Sequence, residues 1–227
     1  AQIQRVRRTG LTLAPEAGSE RLRRVINKNL PEEAIMAAAR QAFGAGWNLL
    51  KLYFMIGLPH ETSEDLAAMG ALARQILKAA PKGRPKLNVS LSTFIPKPHT
   101  PFQWEMQEDL FSGRLRLQEA KDRVRHPHIQ AKWNSAAQSW LEGVFSRGDR
   151  RLAPALLAAF QRGCRLDAWS EELRLEPWRE AFQEAGVDPD FYLRARSREE
   201  LLPWDHLDCG VSREFLAGER DRASQAL

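Results

Sequence analysis

The sequence is poor in cysteine and has no long apolar run. Its two cysteines, Cys164 and Cys209, lie 45 positions apart. They are too few and too separated for a disulfide framework, a zinc site or an iron-sulfur cluster held by this chain. No apolar stretch approaches the roughly 18 residues that a membrane helix needs, and no basic-then-apolar leader opens the chain. We therefore expect free thiols, a cytoplasmic location and no membrane partner.

The sequence also has no long block of basic or of acidic residues. The chain has 34 lysines and arginines against 29 acidic residues, a formal net charge of +5 and a pI near 9.5. The 43% hydrophobic content of its 227 residues is enough for a sizeable core. The composition predicts a mildly basic globular protein. It leaves a nucleic-acid partner open, although solvated helix faces account for scattered arginines as well.

The most informative stretch is the apolar run at residues 49–57, which is typical of a strand covered on both faces. Gly57 and Pro59 end this run, and Thr62 and Asp65 have the spacing of a capping box at the start of a helix. In parallel α/β proteins, ligands bind at the edge of the sheet where such strand-to-helix turns collect. Any strand-to-helix turn needs residues that end the strand and cap the helix. The pattern alone therefore does not distinguish a ligand-binding turn from an ordinary one.

The same strand, turn and helix order occurs three times. Strands are predicted to start at Leu11, Leu49 and Leu87, with 38 residues from each start to the next. The first is predicted to be short and broken by Pro15. The third, at 87–95, alternates apolar and polar residues, so its polar side belongs either to a wet barrel interior or to the edge strand of an open sheet. Helices are predicted at 20–28, from Pro31 to about 44, and from 62 to 77.

Beyond residue 104 the pattern changes to amphipathic helices. They are predicted at 108–124, 135–145, 152–162, 175–185 and 211–223, with a short extended segment at 128–133. We therefore predict three βα units at 1–104 and a mostly α-helical C-terminal extension at 105–227. Residues 1–8 are basic and are interpreted as either the tail of a helix or a connector, and residues 81–85 as a loop.

Three turns read together carry a family resemblance: TLAPEAGSERL, MIGLPHETSEDL and STFIPKPHTPF. In this order they resemble the last three strands of the radical S-adenosylmethionine superfamily. More narrowly, the chain is similar to an uncharacterised bacterial group in which a cobalamin-binding-type domain precedes the radical core. The resemblance implies an α/β fold: the C-terminal half of a partial (βα)6 TIM-like barrel, followed by a small α-helical domain. The rest of the barrel is then expected to precede Ala1.

The resemblance also implies roles for individual residues. Glu16, Gly18 and Ser19 match a motif that holds the ribose and the amino acid part of S-adenosylmethionine, and Lys28 matches a basic position that faces its carboxylate. Ile56 and Gly57 match the place where the backbone meets adenine, and Pro96 lies near it on the next strand. These residue types suit a cofactor that carries an anionic carboxylate, a ribose diol and a purine.

One feature of the superfamily is missing. Its enzymes hold a 4Fe-4S cluster with a CxxxCxxC loop and use it to cleave S-adenosylmethionine to a 5′-deoxyadenosyl radical, but this sequence has no such loop. The chain is therefore expected to be a fragment, inactive alone, whose cluster ligands lie upstream; a degenerate relative without redox chemistry is the other interpretation. The resemblance implies an electron donor such as flavodoxin or ferredoxin, and cobalamin as a further cofactor for methyl transfer or rearrangement. It does not give the substrate.

Two other functions stay open. One is an RNA-modifying enzyme of the methylthiolating kind, and the other is a non-catalytic nucleic-acid-binding module. His60 and His99 follow strand ends, so they are either substrate contacts or ordinary loop residues. The segment from Trp204 to His206, with Asp208 and Cys209, is interpreted as a capped turn rather than a metal site.

Overall fold

The computed structural model describes residues 10–80 and 85–226. The helix tail or connector predicted at 1–8, and most of the loop predicted at 81–85, lie outside the described residues. None of the helices in the described part of the chain is both long and apolar enough to cross a bilayer. The chain forms two compact units: the first holds 10–80, 85–93, 115–133 and 222–226, and the second holds 94–114 and 134–221. The domain boundary at residue 104 stays a prediction.

The first unit is built on a parallel sheet. Its strands are β1 (Leu11–Glu16), β2 (Leu49–Ile56), β3 (Lys86–Thr93) and β4 (Ile129–Trp133), in the order β1-β2-β3-β4. The sheet is open, with β1 and β4 at its two edges. The predicted half of a (βα)6 barrel is therefore wrong. A fourth strand, from a short segment that we had assigned to the helical extension, continues the sheet beside β3.

The helices of this part of the chain follow the predicted order. They are α1 (Glu20–Val25), α2 (Glu32–Gly44), α3 (Ser63–Lys78) and α4 (Leu110–Arg123). Apolar side chains of α2, α3 and the later part of α4 pack on one face of β2 and β3 and form the core of the first unit. The strand residues in this core are Leu50, Leu52, Phe54, Ile56, Leu87, Val89 and Leu91. Burial of this apolar surface is the main stabilisation of the sheet.

The opposite face of the sheet is polar and partly exposed. Asn88, Ser90 and Ser92 alternate with the buried residues of β3, as predicted. Tyr53, which lies on β2 opposite Ser90, is 42% exposed. The edge-strand interpretation of β3 is wrong, because β3 lies between β2 and β4. β1 also differs from its prediction, since it continues through Pro15 to Glu16 with a shift in register. A proline is tolerated there because an edge strand leaves one side of its backbone unpaired.

The second unit is helical around its own core. It contains α5 (Ala136–Ser146), α6 (Ala153–Gln161), α7 (Leu175–Glu184) and all but the end of α8 (Arg213–Gln225), whose residues from 222 onward belong to the first unit. The first three, together with Tyr192 and Leu193, enclose one apolar cluster. Arg147 is fully buried beside this cluster and donates hydrogen bonds to the carbonyl oxygens of Glu105, Tyr192 and Arg194 at 2.6–2.8 Å. Burial lowers the pKa of its guanidinium to about 10.

Candidate functional site

The turn after β1 brings two predicted ligand residues together. Lys28 Nζ lies 3.1 Å from Glu16 Oε1, although the residues are 12 positions apart and α1 lies between them. Both side chains are about one third exposed, at 28% for Glu16 and 35% for Lys28. Glu16 has φ of +67°, a conformation in which non-glycine residues are strained. An accessible ion pair on a strained backbone is therefore present at the carboxyl end of β1.

Gly18 and Ser19 have contacts that explain their residue types without a ligand. A Cβ atom on Gly18 would lie 2.3 Å from both the Asp65 carbonyl oxygen and the Met69 nitrogen, so only glycine allows this approach to α3. The hydroxyl of Ser19 caps α1 by accepting from the Leu22 amide at 3.0 Å, and it donates to the Asp65 carboxylate. Their predicted role in cofactor binding stays a prediction.

Asp65 is the residue that joins the first two turns. Its carboxylate is 3% exposed and accepts hydrogen bonds from Ser19, from the Arg21 guanidinium and from the Thr62 amide, the last at 2.8 Å. Burial alone would raise the pKa of this carboxyl, but the hydrogen bonds outweigh it, so its pKa lies below the ordinary value. The predicted capping box of Thr62 and Asp65 is confirmed. In addition, the box holds the turn after β1 against the start of α3.

The turn after β2 is held by a second carboxylate. Glu61 Oε1 accepts from the Gly57 amide at 2.9 Å and from the Arg116 guanidinium at 3.0 Å, and its side chain is 2% exposed. Gly57 has φ of +76°, which favours glycine, and the side chain of Ile56 is buried in the core. Only the backbone of Ile56 and Gly57 is therefore presented at the end of β2.

A buried arginine fixes the geometry of the Glu16 turn. Arg23 is fully buried, and its guanidinium donates to the carbonyl oxygens of Ala17 and Gly18 at 3.1 Å and to that of Leu30 at 2.7 Å. The Arg23 carbonyl in turn accepts from the Lys28 amide at 2.8 Å. Arg23 thus ties the segment that carries Glu16 to the segment that carries Lys28.

The remaining predicted residues are not part of this group. Pro96 is buried and belongs to the second unit, so its contact with the cofactor stays a prediction. His60 is exposed with φ of +64°, and its carbonyl oxygen accepts from Arg21 at 2.9 Å. His99 has φ of +54°, and its amide donates to Gln103 at 3.1 Å. The described residues contain no cluster of three or more histidine, cysteine, aspartate or glutamate side chains arranged for a metal ion.

Sequence analysis missed four residues that shape these turns: Arg21, Arg23, Glu61 and Arg116. A glutamate directly before the cap of a helix could have been noticed as a partner for the free amides of the turn. The arginines carried no signal, because a basic residue on a helix is usually solvent-exposed. Their partners are main-chain oxygens and carboxylates that only the fold brings near.

Comparisons with known proteins give one relative of unknown activity. Over 177 residues the chain is 31% identical to the uncharacterized protein MJ0966 of Methanocaldococcus jannaschii. The match covers 78% of this chain and 38% of that protein, so the chain spans less than two fifths of the relative's length. No family model matches the chain, and no solved structure matches it significantly. The similarity therefore assigns no activity.

Proposed function

We propose that this chain is part of a radical S-adenosylmethionine enzyme and that it contacts the cofactor through the turns after β1 and β2. The observation that carries the proposal is the accessible ion pair of Glu16 and Lys28, held at the carboxyl end of a parallel strand. Ligands of parallel α/β proteins bind at this end of the sheet, where the strand-to-helix turns collect. Strained backbone, as at Glu16 with its positive φ, is a feature that clusters at binding sites.

The two charged side chains fit the amino acid part of the cofactor. That part carries an ammonium group and a carboxylate, for which a carboxylate and a lysine are the complementary partners. Binding replaces the direct Glu16–Lys28 pair by two charge-assisted hydrogen bonds, so neither residue loses its charge partner. The Glu16 carboxylate also suits a ribose diol, which needs an acceptor.

The turn after β2 limits how adenine is recognised. Because Glu61 already accepts from the Gly57 amide, we assign the amino group of adenine to a carbonyl oxygen of the Ile56–Gly57 backbone. The partly buried Glu61–Arg116 pair holds this turn. These residues orient the cofactor, and orientation is what the protein contributes to cofactor chemistry.

Reductive cleavage of the cofactor requires a 4Fe-4S cluster, and the residues of this chain cannot hold one. Its two cysteines cannot supply the three thiolates of the superfamily loop. We therefore place the cluster ligands in sequence outside these residues and derive no redox step from this chain. The electron donor, the use of cobalamin, the substrate and the cytoplasmic location remain predictions.

Binding of S-adenosylmethionine by the 227-residue chain tests the proposal. Isothermal titration calorimetry should show binding that Glu16→Gln weakens tenfold or more, since a hydrogen bond between charged groups contributes about 1.5–3 kcal/mol. Glu33→Gln is the matched control, because Glu33 is exposed in the first turn of α2. Equal affinity of the chain and its Glu16→Gln variant would contradict the proposal.

A specific observation also favours nucleic-acid binding as a second candidate. A cavity of about 610 Å³ in the first unit is lined by Lys121, Arg125, His126 and Trp133, among others. The Trp133 ring is 46% exposed, and Lys121 Nζ lies 4.2 Å from its centroid. Basic groups beside an exposed ring suit stacking on single-stranded RNA. In that case a short RNA should bind with an affinity that falls steeply with salt and that Trp133→Ala weakens.

A further inference from the structure

The sheet of the first unit has a second face, opposite the helices, that the proposed function does not use. Successive side chains of a strand point to opposite sides, so the buried core residues of β2, β3 and β4 alternate with residues on this other face. Six of the latter lie in two adjacent rows across the three strands, and we call these rows the open face. They are Lys51, Asn88 and Gln130 in one row, and Tyr53, Ser90 and Lys132 in the next. None of the six is buried.

The open face carries positive charge without negative charge. Each row contains one lysine, Lys51 or Lys132, and Lys86 lies on the same side at the start of β3. The sequences of β2, β3 and β4 contain no aspartate or glutamate at any position. Within the described part of the chain, neither Lys51 nor Lys132 forms an ion pair. A polyanion would therefore meet charges of one sign on this face.

One aromatic ring stands between these lysines. Tyr53 is 42% exposed although β2 is an inner strand of the sheet. Lys51 precedes it by two residues on the same strand, and Lys132 lies in its own row two strands away. The strand between them presents the Asn88 amide and the Ser90 hydroxyl, which are partly exposed. An accessible ring with basic groups on two sides and hydrogen-bonding groups beside it suits a base and its flanking phosphates.

We propose that the open face binds single-stranded RNA. A base stacks on the Tyr53 ring, and Lys51 and Lys132 neutralise phosphates on either side of that base. The side chains of Asn88 and Ser90 bond to base edges or to the 2′-hydroxyl, which distinguishes RNA from DNA. Sheets that present aromatic rings to unstacked bases are a general mode of RNA recognition. An acidic protein segment would pair with the lysines but would leave the ring unused.

The open face differs from the cavity beside Trp133. Trp133 pairs with Leu91, a core residue, so its ring lies on the helix side of the sheet, where Lys121 of α4 contacts it. RNA binding at the two surfaces therefore depends on different rings. The inference also does not rest on the proposed cofactor, so RNA binding is measured without S-adenosylmethionine and its outcome is independent of cofactor binding.

Matched oligomers separate stacking from charge. Fluorescence anisotropy with the full chain compares an eight-nucleotide uridine RNA, within the ~4–16 nucleotides that one such surface binds, with an abasic RNA of equal length. Tyr53→Leu should weaken the uridine RNA about fivefold or more and the abasic RNA less than about twofold. Unchanged abasic binding also shows that the variant is folded. Tyr53→Phe keeps the ring and should bind like the parent chain, and Trp133→Leu, on the other side of the sheet, should change the affinity less than about twofold.

Lysine variants test the charge. Lys51→Gln and Lys132→Gln should each weaken both oligomers and reduce the slope of log affinity against log salt concentration by about 0.7. Lys78→Gln makes the same charge change at the exposed end of α3, on the helix side, and should leave the slope unchanged. A deoxyuridine oligomer of the same length should bind about threefold more weakly than the RNA, because it lacks the 2′-hydroxyl.

Several results would overturn the proposal. They are no binding of the uridine RNA at about 50 mM salt, an equal effect of Tyr53→Leu on both oligomers, and an unchanged salt slope in the Lys51 and Lys132 variants. A loss of affinity in Trp133→Leu as large as that in Tyr53→Leu would show that RNA is not specific to the open face. Equal affinity for the deoxyuridine oligomer and the RNA would overturn the assignment to RNA.

Discussion

Asp65 is the residue on which the geometry of the first two turns depends. A carboxylate whose folded pKa is lowered contributes stability above its unfolded pKa, and that stability is lost as the pH falls through the folded value. We therefore predict that the urea midpoint falls between about pH 5 and pH 3, and that Asp65→Asn reduces the slope of this fall. At pH 7 the variant should lose about 2 kcal/mol, because the donors on Ser19, Arg21 and Thr62 lose a charged acceptor.

Urea denaturation of both proteins across this pH range is the measurement. Asp122→Asn, a change at an exposed residue of α4, should leave the pH profile and the stability at pH 7 unchanged. If the urea midpoint of Asp65→Asn changes with pH as that of the parent chain does, the hydrogen bonds that lower the pKa of Asp65 contribute nothing to folding.

Gly18 gives a second prediction at the scale of one residue. Gly18→Ala places a methyl group against the backbone of α3, which cannot move without disturbing the core, so we expect a loss of about 3 kcal/mol. Gly44→Ala is the matched control: nothing lies within 4 Å of its Cβ position, and alanine in a helix should stabilise by up to about 1 kcal/mol. Thermal unfolding of the two variants should shift in opposite directions, and similar shifts would contradict the close approach at Gly18.

The element that depends most on one side chain is α1. This helix has only six residues, too few to be stable by itself, and the Arg23 guanidinium holds both the turn before it and the segment after it. Arg23→Met should therefore destabilise the chain by about 3 kcal/mol, since two buried carbonyl groups and the partly buried Leu30 carbonyl lose their donor. Arg24→Met, at the exposed neighbouring position, should stay within about 0.5 kcal/mol.

Equilibrium urea unfolding of the two arginine variants is the measurement. Arg23→Lys should restore only part of the lost stability, because a single ammonium group cannot reach carbonyl groups on both sides of α1. Equal effects of Arg23→Met and Arg24→Met would show that the guanidinium is not what holds the helix.

Most elements could be predicted from the sequence, because their signals are local. The apolar run of β2, the alternation in β3 and the capping box of Thr62 and Asp65 depend on neighbours a few residues away. Pro15 misled the prediction of β1, because a proline stops an inner strand but not an edge strand. That difference depends on which strand lies beside β1, and local pattern does not contain it.

At the scale of the whole molecule, the barrel was the main error. A repeat of strand, turn and helix is shared by barrels and open sheets, and whether the sheet closes depends on long-range pairing. In the described residues the short strand β4 pairs with β3 and has no strand partner on its other side, so the sheet is open. The direct contact between Glu16 and Lys28 could not be read from local pattern, because the two residues lie on segments that the buried Arg23 ties together.

We propose that Glu16 and Lys28 hold the amino acid part of S-adenosylmethionine. The most direct measurement compares the affinity of S-adenosylmethionine with that of 5′-methylthioadenosine, which keeps the purine and ribose but lacks the ammonium and carboxylate groups. Lys28→Gln should weaken S-adenosylmethionine about tenfold and 5′-methylthioadenosine less than twofold, while Lys86→Gln, at the exposed start of β3, should change neither. An equal effect of Lys28→Gln on both ligands, or no effect on either, would contradict this role of Lys28.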